Sequence, residues 1–375
     1  MRIGITCYPT YGGSGIVATE LGLELANRGH EVHFISYANP IRLDPGIPRI
    51  HYHEVEVTTY PLFQYPPYCL ALASRMQEVA LHQKLDVLHV HYAIPHSISA
   101  LLAQQMMASS GRRLPFITTL HGTDITLVGG DRSYFPITKF SIEQSDGVTA
   151  ISDYLRARTQ DFFGITRGIR VIKNFVNCEI YQPDFPGRAK DETLGPRGVK
   201  RLIHVSNFRP VKRVIDCLRI LKEVLKRTPA HLVMVGDGPD RGPAENAACE
   251  MGLEKNVTFL GKQAHVERIL PLAHVLLLPS ELESFGLVAL EGMACGVPPV
   301  ATRVGGLPEL VTEGVDGYLE AVGDIEAHAE RVCELLLDED RFRAMAAAAR
   351  HTAETRFCTE LIIPQYEQYY TQIRG

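Results

Sequence analysis

The chain has no tryptophan, no C-x-x-C pair and no apolar run approaching the width of a bilayer. The missing tryptophan excludes nothing, but the other absences do. Eight cysteines are scattered singly, and Cys7, Cys217, Cys295 and Cys333 lie inside apolar patterns. That distribution argues against a disulfide framework or a zinc site and for buried free thiols in a reducing cytosol. Without a stretch of about 20 apolar residues, no membrane-spanning helix is expected. Met1-Arg-Ile-Gly-Ile-Thr-Cys-Tyr8 is too short for a signal peptide and runs into a glycine-rich turn. It reads as a first strand, and the protein as cytoplasmic. An excess of positive charge is missing as well: 38 Lys and Arg against 43 Asp and Glu leave a net charge of −5, which does not suggest nucleic-acid binding. A full G-x-G-x-x-G fingerprint is missing, so a nicotinamide dinucleotide is disfavoured.

What is present is bulk and alternation. At 375 residues, 45% of them apolar, the chain is long enough for two cores. In the first half, strands are expected at 2–7, 31–36, 86–91, 116–120, 147–151 and 170–172. A helix at 14–28 is closed by Gly29. A polar stretch at 182–200 reads as linker or loop. The pattern then restarts, with strands at 201–206, 231–235, 257–260, 274–279 and 299–302. Helices are expected at 211–227, at 243–251 and from Pro308. This alternation implies an α/β fold of two doubly wound, Rossmann-like domains, 1–173 and 174–359. The C-terminal helix, about 360–375, is expected to pack back on the first. Ligands bind at the carboxyl ends of the strands in such sheets, so an interdomain cleft is expected to hold the site.

The most informative segment runs from Pro279 to Pro298. A buried strand leads through an acidic turn into a helix opening at Ser284-Phe285-Gly286. The unpartnered N–H groups of such a start suit a phosphate. Glu283 and Glu291 flank that start, and a carboxylate can accept hydrogen bonds from paired hydroxyls of a sugar or a ribose. Two solvated glutamates on an ordinary βα unit give the same pattern. Gly12-Gly13-Ser14-Gly15 permits close backbone approach to an anion, or is simply a tight turn. Arg209 and Lys212 enter a helix in the equivalent place of the second half, as a diphosphate clamp or a solvated basic turn. Asp237 is read as a turn residue. His121, before Gly122 at a strand end, can present an imidazole to a ligand. His89 and His91 alternate along a strand, so at most one is expected to face the site, with His89 a satisfied core residue. No metal-ligand spacing accompanies these histidines. Asp338-Glu-Asp340 is assigned to helix-end electrostatics.

Together the Glu283/Glu291 spacing, the basic loop with Lys212, the glycine loop at 12–15 and His121-Gly122 resemble family 4 retaining glycosyltransferases of the GT-B fold. The motifs occur in the right order over nearly the whole chain. Tyr8-Pro-Thr-Tyr-Gly-Gly-Ser-Gly15, Phe63-Gln-Tyr-Pro-Pro-Tyr68, His89-Val-His-Tyr-Ala-Ile-Pro-His96 and Thr119-Leu-His-Gly-Thr-Asp124 look like a narrower group within it. That group opens bacillithiol biosynthesis by transferring N-acetylglucosamine from UDP-N-acetylglucosamine to the hydroxyl of L-malate. The substrates come from this resemblance; composition and spacing indicate only a two-domain, anion-binding cleft.

The resemblance implies a role for each matching residue. Glu291 holds the ribose and Glu283 the donor sugar. The amides of Phe285, Gly286 and Leu287 meet the diphosphate and sugar. Lys212 and Arg209 neutralise departing UDP, with Asn207 nearby. Gly261 and Lys262 lie against uracil, and His121 contacts the transferring sugar. Gly13, Ser14, Tyr92, Thr119 and Asn174 border the acceptor, with Gly15 between acceptor and nucleotide sugar. Arg42 and Arg75 are candidate cations for malate, although exposed structural arginines fit them better. Asn207 is a departure, because most relatives carry arginine five residues before the lysine. No carboxylate stands as a nucleophile, which fits a metal-independent front-face reaction without a cofactor. The alternatives are a relative with an inositol phosphate or lipid acceptor, a sugar-nucleotide epimerase of the same fold, or a non-catalytic sensor. Residues 1–173 balance 15 Lys/Arg against 14 Asp/Glu, which argues against a membrane acceptor. The expected partners are small molecules, with neither nucleic acid nor membrane; a homo-oligomer stays open.

Overall fold

Most strands are buried along nearly their whole length, as in the aliphatic run Val-Leu-Leu-Leu over Val275–Leu278, the pattern of a parallel sheet covered on both faces. The computed structural model describes residues 1–375 except 11, 45, 59, 60, 63 and 185–193, and omits the side chains of 127 and 128. Tyr11 and Phe63 of the motifs above, and 185–193 of the expected linker, lie outside the described residues. The chain divides into two units, Met1–Asn174 with Ile362–Gly375, and Phe175–Leu361.

The first unit carries β1 (Arg2–Thr6), β2 (Glu31–Ser36), β3 (Ile50–Glu54), β4 (Val87–His91), β5 (Phe116–Leu120), β6 (Gly147–Ala150) and β7 (Arg170–Val171). Its helices are α1 (Gly13–Asn27), α2 (Tyr68–Gln83), α3 (Ile98–Ser109), α4 (Phe135–Gln144) and α5 (Asp153–Phe163). The sheet is parallel, in the order β3-β2-β1-β4-β5-β6-β7. The order reverses between β1 and β4, so the loops after these two strands open at a switch point. The glycine loop and Tyr92 are on those loops, and His121 directly follows β5. Strand β3, Ile-His-Tyr-His-Glu, escaped the sequence reading because it is a half-exposed edge strand whose polar residues hide its period.

The second unit repeats the plan with β8 (Lys200–Ser206), β9 (Ala230–Gly236), β10 (Val257–Gly261), β11 (Val275–Leu278), β12 (Pro299–Thr302) and β13 (Tyr318–Glu320). The order is β10-β9-β8-β11-β12-β13, again parallel, with the reversal between β8 and β11. Its helices are α6 (Val214–Val224), α7 (Arg241–Glu250), α8 (Leu287–Ala294), α9 (Leu307–Leu310), α10 (Ile325–Leu337) and α11 (Glu339–Arg356). The helix expected at 211–227 is split. Pro210–Lys212 forms a 3₁₀ turn, Arg213 is left-handed at φ 50°, and α6 begins only at Val214. That break places Lys212 on a loop rather than on a helix face. Asp338 caps α11 by accepting from Arg341 N at 3.0 Å, in keeping with its helix-end assignment. Cys7, Cys217, Cys295 and Cys333 are buried free thiols. No helix among the described residues is long and apolar enough to cross a membrane.

The final helix, α12 (Thr359–Arg374), belongs mostly to the first unit. Tyr366 and Tyr370 are buried. The Tyr370 hydroxyl meets His89 Nδ1 at 2.7 Å, and Tyr369 accepts from Val148 N at 3.1 Å. The first unit's core is therefore partly polar, since His89, His91, His96 and His121 are all buried. Burial lowers the His89 and His121 pKa to about 3 and that of His96 to about 4, and places His91 well below its usual value. In the second unit burial holds His204 at about 4. All five are neutral at pH 7.

Two outcomes follow from this core. Tyr370→Phe strands a polar nitrogen of His89 and is expected to cost about 1–3 kcal/mol in urea unfolding; an unchanged midpoint would contradict the contact. The five histidines protonate in the unfolded chain near pH 6.5 but resist it when folded. Their contribution to stability is therefore complete above pH 6.5 and is lost as pH falls toward their folded values. Each accounts for up to about 2 kcal/mol at pH 5. The urea midpoint should drop steeply between pH 7 and 5, and a flat profile would refute the burial.

Candidate active site

In the first unit the polar groups gather at the carboxyl ends of β1, β4 and β5. Gly15 is needed for close approach: a Cβ there would lie 2.5 Å from Tyr8 O and 2.7 Å from Thr10 O. Gly13 is exposed at the start of α1 and Ser14 is half-buried. Tyr92 has φ 94°, uncommon for a residue with a side chain, and its hydroxyl donates to Thr123 Oγ1 at 3.0 Å. Its ring lies 5.9 Å from that of His121, nearly parallel to it. Gly122, at φ 113°, turns the chain after His121. Asp124 fastens that turn by accepting from Gly122 N at 2.8 Å, His121 N at 3.2 Å and Ala93 N at 3.2 Å. Burial raises the Asp124 pKa to about 6 against these bonds. Asn174 is buried, with Oδ1 unpartnered among the described residues.

One sequence expectation, the alternation of His89 and His91, needs correction here. Thr119, expected at the acceptor, is fully buried, and its hydroxyl is 2.6 Å from both His89 Nε2 and Thr149 Oγ1. His89 and His91 do not take opposite faces. Residues two apart on a strand share a face, and these rings lie 4.4 Å apart. His89 is the satisfied core residue expected, whereas His91 reaches His121, with Nδ1 2.8 Å from His121 Nε2. Arg42 and Arg75 each have an acidic partner, Glu20 at 3.2 Å and Glu78 at 2.7 Å.

In the second unit the two loops beside the β8/β11 reversal meet. Glu281 N donates to Val211 O at 2.8 Å, tying the acidic loop to the basic one. Lys212 Nζ then lies 2.6 Å from Glu283 Oε1, which also accepts from Ser280 Oγ at 2.8 Å. Glu291, buried inside α8, accepts from the Tyr181 hydroxyl at 2.9 Å. Gly286 caps α8 in the left-handed region at φ 91°. The amides of Phe285 and Gly286 make no backbone hydrogen bond among the described residues, and Leu287 is the first residue of α8. The Phe285 side chain is buried against Phe357. Arg209 and Asn207 are exposed on the basic loop. Lys262, next to Gly261 at φ 69°, is 3.9 Å from Asp237, whose other contact is with Gly238 N in its own turn.

The structure thus brings together Lys212 with Glu283, and His121 with Tyr92. Sequence reasoning missed Asp124, Ser280 and Tyr181, and gave His91 no named role. The H-x-H spacing and the Asp three residues after His121 were usable signals for two of them. Nothing local marks Tyr181, which lies 110 residues from Glu291.

An arrangement of this kind offers fixed cations and amides to an anion beside carboxylates suited to hydroxyls. Residues 11–180 match the Glycosyltransferase Family 4 model and residues 188–352 that of Glycosyl transferases group 1. The chain is 47% identical to the N-acetyl-alpha-D-glucosaminyl L-malate synthase of Bacillus anthracis, over 100% of this chain and 97% of that one. It is 27% identical to the D-inositol 3-phosphate glycosyltransferase of Thermobispora bispora, over 96% and 90% of the two chains. Among solved structures, sucrose-phosphate synthase from Thermosynechococcus elongatus superposes with a TM-score of 0.80 at 22% identity, covering 99% of this chain and 98% of that one. Anabaena HepE in complex with UDP and glucose also gives 0.80, at 20% identity and 99% coverage of both chains. The chain belongs to the family 4 glycosyltransferases of the GT-B fold.

Proposed function

We propose that the protein is a retaining transferase that moves N-acetylglucosamine from UDP-N-acetylglucosamine to the hydroxyl of L-malate in the cytoplasm, as the first step of bacillithiol biosynthesis. The observation that carries this reading is the 47% identity, end to end, to the Bacillus anthracis synthase. The inositol phosphate relative, at 27%, gives weaker support to the alternative acceptor.

The second unit holds the donor in this reading. Glu291, steadied by Tyr181, takes the ribose, and Gly261 and Lys262 lie along uracil. Glu283 accepts from sugar hydroxyls while fixing Lys212. As the bond from the anomeric carbon to UDP breaks, negative charge grows on the diphosphate. Lys212, Arg209 and the amides of Phe285, Gly286 and Leu287 stabilise it in place, with little reorganisation. The first unit holds the acceptor at Gly13, Ser14, Tyr92, Thr119 and Asn174, near Gly15, and His121 touches the sugar. The malate oxygen bonds to the anomeric carbon on the face that UDP leaves, and its proton passes to the departing phosphate. Charge neutralisation is assigned to side chains and amides, so no cofactor or metal is required.

Purified protein should release UDP from UDP-N-acetylglucosamine only when L-malate is present, at a rate unchanged by EDTA. Strict preference for inositol phosphate or another hydroxy acid, with malate inert, would remove this acceptor. Lys212→Ala and Glu291→Ala should each lower kcat by about a hundredfold or more while the proteins remain folded. Wild-type turnover in both would refute the donor site.

A further inference from the structure

His121 does not stand alone at the end of β5. Its Nε2 is 2.8 Å from Nδ1 of His91, the last residue of β4, and the two ring planes differ by 25°. An in-plane N–H···N bond fits that geometry. One of these two nitrogens carries the proton, and which one it is decides what His121 can offer.

The surroundings of His91 settle the direction. Its Nε2 is buried and has no partner among the described residues. If His121 were the donor, the proton of His91 would sit on that sealed nitrogen as a buried N–H without an acceptor. Orphaned buried N–H groups are rare, and bare lone pairs are less so. The economical arrangement puts the proton of His91 on Nδ1. The ring is also held from the backbone side, where His91 O receives His96 Nδ1 at 2.6 Å. His121 Nδ1 has no protein partner among the described residues, and it is absent from the sealed nitrogens, which include Nε2 of His91 and of His96.

We infer that His91 is a positioning residue: it donates Nδ1–H to Nε2 of His121 and thereby fixes His121 as the Nδ1–H tautomer. His121 then meets the substrate with a hydrogen-bond donor, not with a lone pair. It can bind a sugar oxygen through Nδ1–H, but it cannot take the proton of the attacking hydroxyl there. That proton is left to the departing diphosphate. Burial supports the arrangement, because both imidazoles stay neutral at pH 7 and share a single proton across the contact.

The inference rests on the proposed function for its kinetic consequence but not for its structural one, so two measurements separate them. In the full-length protein labelled with [¹⁵N]histidine, two-bond ¹H–¹⁵N spectra at pH 7.5 should show His121 and His91 both protonated at Nδ1, with peaks assigned from single variants. A proton on Nε2 of His121 overturns the inference whatever the activity. In the transferase assay, His91→Phe should lower kcat about tenfold and leave KM for UDP-N-acetylglucosamine nearly unchanged. His91→Asn, whose amide nitrogen can occupy the place of Nδ1, should recover most of that loss and keep the His121 tautomer. Wild-type kcat in His91→Phe, or equal impairment of both folded variants with an unchanged tautomer, would refute the positioning role. If His91→Phe does not fold, the wild-type spectrum still decides. If the wild type turns over nothing with malate, the acceptor assignment fails while the tautomer result stands.

Discussion

Lys212 reaches Glu283 only because backbone packs on backbone around them. A Cβ on Gly305 would lie 1.7 Å from Glu283 O, and one on Gly306 would lie 2.4 Å from Ser284 O. Gly306 N donates to Glu283 O at 3.0 Å, holding the acidic loop against the turn after β12. On the other side, Gly236 and Gly238 let the turn after β9 lie against Ser206 and Asn207, where a Cβ would come within 1.8 and 2.1 Å of their carbonyl oxygens. The acidic loop and the basic loop are each pressed into place by glycines from a neighbouring turn. The ion pair, the open amides before α8 and the position of Glu291 all inherit their geometry from that packing.

The first unit solves a related problem with side chains. Its strands end in histidines and threonines that are sealed from water, and a buried polar group without a partner is costly. His89 is satisfied by Thr119 and Tyr370, and Thr119 in turn by Thr149. One step closer to the surface, His91 meets His121 and Asp124 gathers three amides. The same burial that keeps these imidazoles neutral makes them poor cations and good directional hydrogen-bonding groups. In the proposed reaction the two units divide the work accordingly: the second supplies charge to the leaving group, and the first supplies orientation.

The sequence was most legible where a motif is local. The strands at 31–36, 116–120 and 299–302 have the expected bounds, because each is a short run of β-branched or aliphatic residues closed by polar ones. It was less legible where the signal is diluted: β3 has alternating histidines and an exposed edge, and the helix expected at 211–227 hid a left-handed Arg213. Thr119 was ambiguous for another reason. A threonine at a strand end is equally compatible with a ligand and with a core hydroxyl, and its bonds to His89 on β4 and Thr149 on β6 appear only in the fold.

The amino-acid sequence by itself determined two doubly wound α/β units, the loops that carry polar groups at their strand ends, and the family. The units and loops follow from periodicity and glycine placement, and the family from the resemblance of whole motifs, all of which are local along the chain. Tertiary structure alone decided the partners: Lys212 with Glu283, Tyr181 with Glu291, His91 with His121, and Tyr370 with His89. Each pair joins residues from 30 to 281 positions apart. Such contacts exist only once parallel strands have been laid side by side, because the register between strands, not the order of residues, sets which polar groups face each other.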